Sequence, residues 1–167
     1  MRSTLLFDFT VDKQTNTINV KREFAAAPAL VWDAWTKAEL LEKWWAPKPW
    51  HAETKSMDFK DGGHWLYAMV SPEREKHWCK VEYQDIDAQK SFSNLNAFCD
   101  EDGNINEAFS RSFWTNTFSG DENLTTVNVD IKYKTTEDLE RMVAMGFKEG
   151  FTMGLQNLED LLEQLTK

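Results

Sequence analysis

A chain of 167 residues can enclose one sizeable core and offers no reason for division, so residues 1–167 are expected to form a single domain. Its 28 acidic side chains against 19 Lys and Arg leave a formal charge of −9, and the basic residues are spread out rather than gathered in a stripe, which excludes nucleic acid and anionic membrane surfaces as expected partners. No apolar run approaches the roughly 18 to 20 residues of a membrane span, and Met1-Arg2-Ser3-Thr4 is not followed by a signal-peptide pattern, which points to a soluble protein of the cytoplasm.

In chain order, Leu5, Phe7, Phe9 and Val11 alternate with mostly polar neighbours. Asp12-Lys13-Gln14-Thr15-Asn16 gives a turn, and Ile18, Val20 and Phe24 resume the alternation, so a hairpin is expected in which residues 1–16 supply an N-terminal extension strand. Pro28 suits the first turn of a helix running to about Lys37. A second short helix from about Glu39 carries Leu40, Leu41, Trp44 and Trp45 before Pro47 and Pro49 end it. From Trp50 to Tyr133 the period is two, and turn signals such as Asp61-Gly62-Gly63 and Asp102-Gly103-Asn104 divide it into successive hairpin-linked strands. Thr135 or Thr136 can cap one long last helix from about Glu137 to Leu165, whose apolar face carries Val143, Phe147, Phe151, Leu158, Leu161, Leu162 and Leu165. The pattern is α+β: a curved antiparallel sheet of about seven strands, two short helices and a long C-terminal helix.

Little in the chain points to chemistry. Cys79 and Cys99 have no CxxC partner, and His51, His64 and His77 lie on different expected strands with no HxH or HExxH spacing, so neither a metal nor another cofactor is expected. No GxSxG elbow is present, and no residue takes a catalytic role from its context. The eight Trp and eleven Phe are the unusual feature, since such rings must be buried somewhere.

The segment from Phe24 through Ala25-Ala26-Ala27-Pro28-Ala29-Leu30-Val31-Trp32-Asp33-Ala34-Trp35-Thr36, followed by Leu41-Glu42-Lys43-Trp44-Trp45-Ala46-Pro47, carries a combination of features. It resembles the opening signature of the proteins related to the C-terminal domain of the activator of heat-shock protein 90 ATPase. Further similarity lies in Met57-Asp58-Phe59-Lys60-Asp61-Gly62-Gly63 and Met145-Gly146-Phe147, so the family-like region covers about residues 17–165. The resemblance implies the START-like, helix-grip fold of the polyketide-cyclase and pollen-allergen superfamily, with a cavity between sheet and long helix. It fixes no activity, because that superfamily includes carriers, receptors and cyclases.

Gly146, Gly150 and Gly154 sit four residues apart on the expected long helix, each costing it about 0.5 to 1 kcal/mol relative to alanine. Such glycines either let large rings approach the helix backbone or leave room for a ligand. Around Phe92 and Arg111 both strand faces mix apolar and hydrogen-bonding residues, so the inward face is open in either case. The leading expectation is a binding protein for a small apolar or aromatic molecule, with a cavity lined from among Trp45, Trp65, Tyr67, Trp78, Phe98, Trp114, Phe147, Gly150 and Phe151. A cyclase- or hydrolase-like enzyme using the same cavity, or a chaperone-interacting module, are the alternatives; either a monomer or a homodimer fits.

Overall fold

The computed structural model of the chain describes residues 5–166. Two strands, β1 (Phe7–Asp12) and β2 (Thr17–Phe24), precede helices α1 (Pro28–Thr36) and α2 (Ala38–Trp44). Six more follow: β3 (His51–Asp58), β4 (His64–Val70), β5 (Lys76–Asp87), β6 (Ser91–Phe98), β7 (Ser112–Gly120) and β8 (Thr125–Lys132). Helices α3 (Thr136–Ala144) and α4 (Phe147–Leu165) close the chain.

All eight strands join one antiparallel sheet in the order β1-β2-β8-β7-β6-β5-β4-β3. The N-terminal extension pairs with β2 from Phe7↔Arg22 to Asp12↔Thr17 and forms one edge, so the sheet has eight strands where about seven were expected. Because β2 and β3 stand at opposite ends of that order save for β1, the α1–α2 segment must carry the chain across the sheet. Pro28 opens α1, as its fixed φ and missing N–H allow. Trp32 and Trp35 are both buried: Trp32 meets Phe59, Phe92 and Phe118 edge-on, and Trp35 lies 4.9 Å from Trp44 between ring centroids.

The expected single C-terminal helix is two helices. Thr135 caps α3 by accepting a hydrogen bond from the Asp138 N–H at 3.1 Å, and α3 ends at Met145-Gly146, where Gly146 takes φ 93°. Only glycine adopts that left-handed backbone without strain, so Gly146 terminates α3 and starts α4 rather than lying within a helix. The break leaves α3 shallow, with Leu139 its one fully buried residue, and puts Val143, expected on the apolar face, in solvent. Leu165 is likewise exposed, whereas Phe151, Leu155, Leu158, Leu161 and Leu162 of α4 enter the core. Behind α4, Arg22 and Glu159 form a buried ion pair at 2.8 Å, with the guanidinium also over the Phe7 and Phe24 rings. Among the described residues no helix is long and apolar enough to cross a membrane.

Candidate functional site: a two-chambered cavity under the C-terminal helices

Strand alternation decides which side chains face the helices. On β6 the inward face is Phe92, Asn94, Asn96 and Phe98; on β7 it is Ser112, Trp114, Asn116 and Phe118. The inward residues of β8, Val127, Val129 and Ile131, fill ordinary core with Tyr133 beyond them. Toward β4–β7 large rings such as Tyr67, Phe98 and Trp114 alternate with the smaller Cys79, Asn96 and Ser112, and Gly150 withholds a side chain, so sheet and helices do not fill the space between them. A cavity of about 260 Å³ remains, bounded by Trp45 and Pro47, by the strands, and by Met142, Met145, Phe147, Gly150 and Phe151 of the helical segment.

Seven of the nine residues expected there line this space: Trp45, Tyr67, Phe98, Trp114, Phe147, Gly150 and Phe151. Two do not. Trp78 sits on β5 between Lys76 and Cys79, where the pleat turns Cys79 inward and Trp78 outward beneath the ammonium groups of Lys55 and Lys76. Trp65 points inward but lies deeper, 5.9 Å from Trp45 and with its indole N–H on Thr54 Oγ1 at 2.9 Å. The wall also uses Met69, Cys79, Asn96, Ser112 and Tyr133, which were not among the nine residues expected to line it. Strand alternation was the available signal, but without the register it could not select a face.

The three C-terminal glycines separate into three roles. Gly146 makes the helix break. A methyl on Gly154 would stand 3.2 Å from the carbonyl oxygens of both Trp44 and Trp45, so α4 there packs backbone to backbone on the end of α2. A methyl on Gly150 would meet only Pro47 Cγ at 3.8 Å, an ordinary contact, and Gly150 borders the cavity.

Polar groups in the wall are joined in short chains. The Trp45 indole donates to the Tyr67 hydroxyl at 2.8 Å, and Cys79 stands opposite Tyr67 on the neighbouring strand. Burial pushes Tyr67 well above the usual phenol range and raises the Cys79 thiol to about 12; burial likewise raises Tyr133. All three are neutral at physiological pH. Lys80 also borders the cavity, with its Nζ 3.7 Å from Glu82 Oε2. Deeper in, a chamber of about 20 Å³ lies beneath Trp45 and Trp114, and both Trp35 Nε1 and Asn116 Oδ1 are buried there without a partner among the described residues.

The histidines do not converge. His51 bonds to Glu53 and His64 to Ser56, each at 2.8 Å, while the His77 ring lies 5.3 Å from that of Trp50. Among the described residues no cluster of three or more His, Cys, Asp or Glu is placed to hold a metal ion.

Beyond the cavity wall, Arg141 of α3 donates to the Ala108 carbonyl at 2.9 Å and stacks over Phe109, whose ring contacts Phe98, which does line the cavity. The β6–β7 connection is thereby fastened to the helical cover.

A space between the sheet and the C-terminal helices is the arrangement that the resemblance of the N-terminal signature implies. The sequence profile of the activator of Hsp90 ATPase homolog 1-like proteins matches residues 25–163. The chain belongs to this family. Among solved structures, protein Ms6760 from Mycobacterium smegmatis is 29% identical with a TM-score of 0.87, the match covering 96% of this chain and 99% of that one. A protein from Staphylococcus epidermidis is 28% identical, with a TM-score of 0.81 over 93% of this chain and 94% of its own. A protein from Arthrobacter aurescens, at 24% identity, shares the fold with a TM-score of 0.89 over 94% of this chain and 91% of its own. No protein with a curated description matches. The family is thus shown over most of the chain, and the helix-grip fold with it.

Proposed function

We propose that this family member binds a small, largely apolar or aromatic molecule between the sheet and helices α3 and α4, and that binding rather than catalysis is its activity. The observation that carries this reading is the 260 Å³ cavity walled by Trp45, Trp114, Phe98, Phe147 and Phe151. Concave sites of this kind, mostly apolar with a few placed polar groups, suit small organic ligands. The lining has no histidine, carboxylate or arginine among the described residues. Its Tyr67, Cys79 and Tyr133 are held neutral, so none of these three is poised to exchange a proton near pH 7 as acid–base catalysis requires.

The test is native mass spectrometry of the purified protein and of its organic extract, alongside titration with 2-isopropenylnaphthalene followed by quenching of the cavity tryptophans. The expected result is saturable one-to-one binding that Gly150→Leu abolishes while the variant keeps its circular dichroism spectrum. Absence of saturable binding, or binding indifferent to Gly150→Leu, refutes the proposal.

A further inference from the structure

Three asparagines cross the inward face of the sheet where the two chambers meet, and their amide orientations follow from one fixed point. Asn116 Nδ2 lies 3.3 Å from the Phe92 carbonyl, which can only accept, so the amino group of Asn116 must face it. The same amino group donates to Asn94 Oδ1 at 2.9 Å. Asn94 must then present its own amino group on the other side, where it donates to Asn96 Oδ1. The amides therefore point the same way, and the last one, Asn96, has its oxygen occupied and its Nδ2 without a protein partner among the described residues. Asn96 borders both chambers.

Directly across the ladder from Asn96 stands Ser112, which also lines the outer cavity. Its Oγ accepts the Trp114 indole N–H at 2.9 Å, which leaves the hydroxyl proton free to donate. An amide N–H and a hydroxyl O–H thus belong to paired positions on one patch of an otherwise largely apolar wall.

Resting on the binding reading above, we infer that Asn96 and Ser112 form a two-donor seat for the oxygen of an uncharged carbonyl group, so that the ligand class is an apolar or aromatic ketone, aldehyde, ester or amide. A carbonyl oxygen has two lone pairs and matches two adjacent donors. A hydroxyl-bearing ligand would bring a proton that neither donor needs. A carboxylate would accept from both donors, but Lys80, the cation bordering the cavity, has its Nζ beside Glu82, and the desolvation that keeps Cys79 and Tyr67 protonated also disfavours an anion. The asparagine chain gives the seat rigidity, since turning Asn96 over would set its amino group against that of Asn94.

The experiment compares two probes of matched shape, 2-acetylnaphthalene and 2-isopropenylnaphthalene, with 2-naphthoate as the anionic counterpart. In Asn96→Leu the ratio of ketone to hydrocarbon affinity is expected to fall about tenfold, the equivalent of one hydrogen bond of about 1.4 kcal/mol. Asn96→Asp at pH 8 keeps the acceptor for Asn94 and should lose ketone binding while retaining the hydrocarbon, which covers the case in which Asn96→Leu does not fold. In the wild-type protein the bound ketone's infrared carbonyl stretch should move to lower frequency than in hexane, and 2-naphthoate should bind more weakly than the ketone. A ratio unchanged within about twofold in a folded variant, given that one hydrogen bond is worth roughly tenfold, overturns the inference while leaving the cavity reading intact. So does an unshifted stretch or tighter binding of the naphthoate. If the hydrocarbon itself does not bind, both readings fall together.

Discussion

Gly150→Ala separates a cavity wall from a packed contact, and the neighbouring Gly154→Ala supplies an internal contrast. The new methyl at position 150 would meet only Pro47 Cγ at 3.8 Å, so no repulsive contact opposes the gain in helix propensity and the loss of unfolded-state freedom. Together these stabilise by about 0.4 to 1 kcal/mol. For a chain of this length 1 kcal/mol corresponds to about 2 to 4 °C, so the midpoint should rise by roughly 1 to 4 °C. At position 154 the methyl would stand 3.2 Å from two backbone carbonyl oxygens, which can retreat only if the end of α2 moves. Overpacking of that sort costs about 1 to 3 kcal/mol, which lowers the midpoint by roughly 2 to 12 °C. Differential scanning calorimetry of ligand-free protein reads both. The same Gly150→Ala methyl enters the cavity and should weaken binding of 2-isopropenylnaphthalene. A fall in midpoint for Gly150→Ala, or a rise for Gly154→Ala, would refute the assignment of one glycine to the cavity and the other to close packing.

Trp35→Ala removes a ring packed against Trp44, Trp45 and Phe118 and should cost about 3 kcal/mol or more in urea denaturation; a loss below about 1 kcal/mol would contradict its burial. Arg22→Met removes the guanidinium from its buried ion pair with Glu159 and should cost about 3 to 5 kcal/mol, whereas Arg22→Met combined with Glu159→Leu should recover most of that, a double-mutant comparison that fails if the two losses simply add. The Cys79 thiol has its ordinary pKa of 9.0 when unfolded and about 12 when folded, so the unfolded chain releases the proton first as pH rises. Its contribution to stability is therefore intact below pH 9 and is lost between about 9 and 12 at up to about 1.4 kcal/mol per pH unit, a slope that Cys79→Ala should reduce in alkaline denaturation. Since Cys79 faces the cavity, an occupant should also slow its alkylation by iodoacetamide at pH 9.

Alternation and turn chemistry are local, and they were legible in the sequence: the hairpin before Pro28, the two short helices, the six strands from Trp50 onward and the amphipathic face of α4 follow from spacing alone. The signature around Trp32, Trp35, Trp44 and Trp45 was likewise enough to indicate the family. The identity of the cavity wall was only partly legible. Period two says that Trp78 and Cys79 face opposite ways but not which of them faces the helices, and the register Tyr67↔Cys79 between β4 and β5 is what turns Cys79 in and Trp78 out. Depth is also a tertiary property, so Trp65 and Tyr67 share a face while only Tyr67 reaches the outer cavity. The helical spacing of Gly146, Gly150 and Gly154 was plain, yet their roles diverged because a glycine's function depends on what stands opposite it: open backbone geometry at 146, the cavity at 150 and the Trp44 and Trp45 carbonyls at 154. The pairing of Asn96 with Ser112 joins residues sixteen positions apart, and strand pairing across β6 and β7, not their own chemistry, makes one patch of them.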